Sequence, residues 1–159
     1  MEPIPLNHVW EYRDIDRAFW ADRLEDFMPA RLIDAHIHVD DPTTRLVELT
    51  EAKRKQYWVA EVCEPMRADE LASADAAVYP GREVSHLTMA LPTLEFDMDA
   101  DNAYVRRESL ARDWPCLTVL NPHWDADRIA AELAEPGVIG LKPYYAMISH
   151  DPDSRDKHI

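Results

Sequence analysis

The sequence predicts an α/β fold built around a parallel sheet. Three observations predict it: hydrophobic segments of strand character recur along the chain, helical segments separate them, and turns containing Pro or Gly punctuate the joins. Strands that alternate with helices one by one join as βα units, which set successive strands parallel. The 159 residues are enough for one domain with its own core. Hydrophobic residues make up 47% and charged residues 30%, a balance that argues against disorder.

Taken in order, residues 1–29 form an arm rich in aromatic and charged residues, with a short helix over about 15–27 that Pro29 ends. Ala18, Phe19, Leu24 and Phe27 are its docking residues. From Arg31 to Asp41 the pattern has period two: Ile33, Ala35, Ile37 and Val39 fall on one face, and Asp34, His36, His38 and Asp40 on the other. The uniformly apolar face predicts an interior strand packed under helices. Asp41-Pro42 has the residue order of an N-cap and first helical turn, so a helix is expected through about 57 with Leu46, Leu49, Ala52 and Tyr57 turned to the core. Another helix over about 67–78 ends before Pro80-Gly81.

Val84 to Leu91 reads as a strand closed by Pro92, with His86 as a structural residue on the face of Thr88 and Ala90. Glu95, Asp97, Asp99 and Asp101 read as a solvated acidic loop, followed by a helix over 102–112. Cys116 to Leu120 is a short buried strand ending in Asn121-Pro122-His123; Asp125 caps a helix that Glu135-Pro136-Gly137 ends; Val138 to Lys142 is the fourth strand. The tail, 149–159, is polar and without periodicity.

The formal net charge of -14 repels phosphate backbones and anionic lipid heads, so no nucleic-acid or membrane partner is expected. No apolar run reaches the roughly 20 residues of a membrane span, and the acidic, aromatic N-terminus lacks the basic and apolar regions of a secretory signal. Cys63 and Cys116 are far apart and form no C-x-x-C pair; two buried thiols in a reduced, cytoplasmic protein are expected. With three glycines in all, no phosphate-cradling loop is present.

The chemistry lies in His36-x-His38. On a strand, two residues one apart project to the same side, with Cα atoms about 7 Å apart. Two imidazoles so placed converge on one ion and suit zinc or a similar divalent metal. The bland alternative, two polar residues on a solvated face, fits poorly with the apolar face opposite.

Ile33-Asp34-Ala35-His36-Ile37-His38 resembles the first-strand signature of the amidohydrolase superfamily, most closely its amidohydrolase-2 branch of decarboxylases and lactone or amide hydrolases. Gly137-Val-Ile-Gly-Leu-Lys-Pro143 resembles strand four of the same group, and the likeness covers roughly residues 15–145. The resemblance implies a partial (β/α)8 TIM barrel: the first four βα units over 30–148, parallel strands with helices outside, and a site at the C-terminal strand ends. A whole barrel takes about 250 residues, so the remaining ligands and the general base are expected outside this chain.

The implied cofactor is a divalent metal, Zn or alternatively Mn, held by His36 and His38, with activated water attacking a carbonyl-type small-molecule substrate, or a related decarboxylation. Lys142 is implied as a carbamylated metal bridge or as a cation facing substrate, against the plain alternative of an ammonium reaching solvent from a strand end. His123, Tyr144 and Tyr145 are candidates for the rim or wall of a substrate pocket; surface exposure and aromatic packing are their ordinary roles. Asp34 either orients an imidazole N–H or bonds to backbone. Three rivals remain open: a phosphoesterase of the polymerase-and-histidinol-phosphatase type, a TatD-like nuclease, and a non-catalytic half-barrel whose open sheet edges invite a homo-oligomer.

Overall fold

The structure, a computed structural model, describes residues 4–5, 11–48, 50–56, 66–93 and 95–144. Two short strands, β1 (Ile4–Pro5) and β2 (Glu11–Tyr12), pair antiparallel. Helix α1 (Asp14–Phe19) follows and widens into a π-helical turn over Trp20–Leu24. Its start is fixed where the Asp16 carboxylate accepts the Arg13 N–H at 2.8 Å. The helix stands where the sequence predicts, but its docking residues differ: Phe19 and Phe27 are exposed, and Trp20 is buried. Helical periodicity does not say which of several aromatics meets the body. Trp20 is selected by its partners, the edge of Tyr79 at 6.1 Å and the Arg82 guanidinium over its ring.

The main sheet is four-stranded, parallel and in sequence order: β3 (Arg31–His38), β4 (Glu83–Met89), β5 (Cys116–Val119) and β6 (Val138–Lys142). A 3-10 turn (Pro42–Thr44), α2 (Glu51–Gln56) and α3 (Ala68–Val78) connect β3 to β4. Helix α4 (Met98–Leu110) precedes β5, and α5 (Ala126–Leu133) precedes β6. The helices α3 to α5 share one side of the sheet. His86 of β4 meets Asp75 of α3, Thr88 on the same β4 face meets Ser109 of α4, and Arg106 of α4 pairs with Glu132 of α5 at 2.7 Å. Val39, Leu71, Val105, Trp114 and Cys116 are buried in the core cluster of this layer.

Local chemistry fixes the joins. Gly81 takes φ +73 in the turn after α3, a conformation that a side chain would strain. The amide that begins α3, Ala68 N–H, donates to the Tyr104 hydroxyl at 3.0 Å. Buried Asn102 imitates a strand neighbour, accepting Val119 N–H and donating to Val119 C=O, and so fastens α4 to the end of β5.

Four expectations need correction. First, β3 is the edge of the described sheet, not an interior strand, and Ile33 is 77% exposed. Second, its alternation is broken. Ile33 pairs with Ser85 and Asp34 with His86, yet Ile37 pairs with Thr88 and His38 with Met89, so β3 carries one extra residue. This bulge turns Ile37 to the helix side and leaves Ile33 on the face of His38. Third, the segment after Asp41 makes a 3-10 turn rather than a continuous helix. Its backbone is drawn into an antiparallel bridge, with Leu46 N–H on Glu95 C=O and Asp97 N–H on Thr44 C=O; Leu46 and Ala52 are exposed. Fourth, the acidic run is not a solvated loop. Asp97 caps α4, accepting Ala100 N–H at 3.1 Å, while Glu95 and Asp101 are buried.

Cys116 is buried as expected. Cys63, Leu49, Tyr57, Tyr145 and the tail 149–159 lie outside the described residues. Among those described, no helix is long and apolar enough to cross a membrane.

Candidate metal centre

His36 and His38 stand at the C-terminal end of β3, their ring centroids 5.2 Å apart and their planes inclined at 61°. Tyr144 reaches them from just beyond β6. Its hydroxyl lies 3.4 Å from His36 Nε2 and 3.3 Å from His38 Nε2. Both Nε2 atoms therefore face one point, across more than a hundred residues of sequence, because β3 and β6, the outer strands of a parallel sheet, have their C-terminal ends on the same side.

The His38 tautomer is fixed. Its Nδ1 lies 2.9 Å from the Ala90 carbonyl, which can only accept, so Nδ1 carries the proton and Nε2 keeps a lone pair. Burial holds the His38 pKa below the ordinary histidine range, and the neighbouring charges of His36 and Lys142 push the same way; the Ala90 hydrogen bond opposes them. A neutral imidazole with a free Nε2 is the ligating form. His36 is exposed, which leaves an approach open from solvent. Burial raises the Tyr144 phenol. Lys142, the last residue of β6, sets its ammonium 5.3 Å from the Tyr144 ring centroid.

Asp34 takes the plainer of its two expected roles. Its Oδ1 accepts the backbone N–H of His36 at 3.0 Å and so supports the bulge rather than an imidazole. His123 stands exposed in the loop after β5, its amide donating to the Asn121 side chain at 3.0 Å. The Tyr144 hydroxyl contacts are to His36, His38 and the Met89 sulfur.

One pair of functional-looking groups was not anticipated. Asp40 and Asp101 are both buried where the chain leaves β3. Asp101 accepts Asp41 N–H and the Thr44 hydroxyl, and Asp40 accepts Leu91 N–H at 2.7 Å. Burial, then the adjacent Asp101 charge, raises Asp40 well above the usual carboxylate range; burial also raises Asp101. Asp40 is the more strongly raised of the two, and the Asp101 Oδ2 beside it is buried without a hydrogen-bond partner. Their contacts tie the chain just beyond β3, two to three residues after His38, to the first turn of α4. The capping pattern Asp97-x-x-Ala100 with acids in the first turn was the signal for Asp101 in a helix; its meeting with Asp40 had none.

The donor chemistry suits a divalent metal: two Nε2 atoms aimed at one point, one with its tautomer set. Among the described residues, no further His, Cys, Asp or Glu makes a group of three with them, so they fit as part of a ligand set. No family model, curated protein or solved structure matches this chain.

Proposed function

We propose that His36 and His38 are first-strand ligands of a divalent metal in a hydrolase, or decarboxylase, of the amidohydrolase type, and that the sheet is the first four βα units of a (β/α)8 barrel. The convergence of both Nε2 atoms on a single oxygen position at the C-terminal strand edge carries the reading. Strand order supports the barrel. A sheet that grows in one direction in sequence order, with α3 to α5 on one side, is singly wound, whereas doubly wound folds reverse direction and cover both faces.

Nitrogen ligands favour zinc, with manganese as the alternative. When bound, such an ion supplies Lewis acidity and lowers the pKa of water. The chain's own groups do the rest at this rim. His38 is held neutral and oriented through Ala90. Exposed His36 faces the entrance. Lys142 offers an ammonium to a substrate carboxylate or carbonyl oxygen on the same side as His38, whose pKa its charge lowers. The general base and the remaining ligands are assigned to donors other than the described histidines and carboxylates.

The test is metal titration of the purified protein with elemental analysis, followed by turnover of lactones, amides and phosphate esters. Stoichiometric zinc or manganese that is lost in His36→Ala, with lactone or amide turnover, is the expected result. Wild-type protein that binds neither metal overturns the reading. Turnover of phosphate esters alone moves it to the phosphoesterase class.

A further inference from the structure

We infer that Tyr144 is the third protein ligand of the His36/His38 metal, giving a two-imidazole, one-phenol site closed between the first and last strands of the sheet. The inference rests on the metal reading proposed above and adds to it a donor of a different chemical type.

Distance carries the argument. In a tetrahedral zinc site with nitrogen and oxygen ligands about 2.0–2.1 Å from the ion, the ligand atoms stand about 3.3–3.4 Å from one another. The Tyr144 oxygen is 3.3 Å from one Nε2 and 3.4 Å from the other. These spacings are long for a hydrogen bond from a hydroxyl, whose usual range ends near 3.0 Å. They match two edges of a coordination polyhedron. A phenol that simply capped the imidazoles would close on one of them; this one stands equidistant from both.

The donor inventory points the same way. No third His, Cys, Asp or Glu joins the pair among the described residues, so the phenol is the oxygen donor at hand. Its surroundings hold it in place: the ring lies under the Lys142 ammonium, and the hydroxyl donates to the Met89 sulfur at 3.6 Å. On ligation the O–H bond breaks, the oxygen keeps the electron pair for the metal, and the proton passes to solvent.

Two measurements test this on the same protein. Zinc affinity is compared between wild type and Tyr144→Phe, which removes only the hydroxyl. Cu(II) is then added to the wild type, where phenolate ligation gives a visible charge-transfer band that imidazole alone does not. The expected result is zinc binding at least about tenfold weaker in Tyr144→Phe, together with the visible band in the wild type. Metal bound by the wild type with no band, and with equal affinity in Tyr144→Phe, overturns the phenol ligand and leaves the histidine pair standing. No metal bound by the wild type overturns both. The chain has six tyrosines, so the band is assigned to Tyr144 by its loss in Tyr144→Phe or, should that variant misfold, in Tyr144→Leu; a band that persists in the folded variant overturns the phenol ligand.

Discussion

His38 and His86 sit on neighbouring strands, three positions apart in register, and their surroundings are opposite. His86 points behind the sheet, is 1% exposed, and has Nε2 bound to Asp75 at 2.7 Å with the Trp114 ring 4.6 Å away. His38 points to the other face, spends its Nδ1 proton on a backbone carbonyl, and turns Nε2 toward His36 and Tyr144. The difference teaches what separates a candidate ligand from a strut. It is neither burial nor strand position alone but which ring nitrogen is left with a lone pair, and what that lone pair faces.

The comparison breaks most sharply under substitution. His38→Ala should weaken zinc binding by about 100-fold or more while the thermal transition moves little; calorimetric titration and a melting curve read both. His86→Ala should do the reverse. It leaves a cavity beside Trp114 and strips Asp75 of its partner, for a loss of about 2–4 kcal/mol in urea unfolding with metal affinity unchanged. If His86→Ala abolished metal binding and left stability intact, the two histidines would have exchanged roles.

The buried acids sharpen the same contrast, since Asp40 lies two residues beyond His38 and is structural. Its folded-state pKa is above its unfolded value, so the unfolded chain ionises first as pH rises. The stability this carboxyl contributes is full below the unfolded pKa near 4 and falls as pH climbs toward the folded value. Asp40→Asn keeps an oxygen for Leu91 N–H and gives Asp101 an amide N–H without any proton uptake. It should be more stable than wild type by about 1 kcal/mol at pH 7, with the gain vanishing below pH of about 4; denaturant melts at several pH values check this. The smallest effect is expected at an exposed ion pair. Glu51→Ala, which breaks the 2.8 Å contact with Lys55, should cost under about 0.5 kcal/mol and become invisible in high salt.

Much of the layout was legible in the sequence because it is local. The four strands, and the helices from Ala68, Met98 and Ala126, follow from hydrophobic runs and from turn and cap residues, and each lies within a few residues of its expected place. The pairing of His36 with His38 was legible for the same reason. What escaped was non-local. Nothing in the run from Arg31 to Asp41 reveals that its partner strand lies on one side only, or that one residue bulges out. Asp40 and Asp101 lie far apart in sequence and find each other only because α4 starts beside the end of β3. Tyr144 was legible as a rim residue but not as a neighbour of both rings, since that depends on where β6 ends relative to β3.

The extra residue in β3 has a consequence for how this strand tolerates change. It acts as a phase shifter, decoupling the parity of the segment before it from the orientation of the segment after it. Residues up to Asp34 keep their own pairing with β4, so they are free to drift in composition without rotating the two rings. Excision of Ala35 alone would restore an uninterrupted two-residue rhythm while both halves of the strand kept their present pairing with β4 and their present faces.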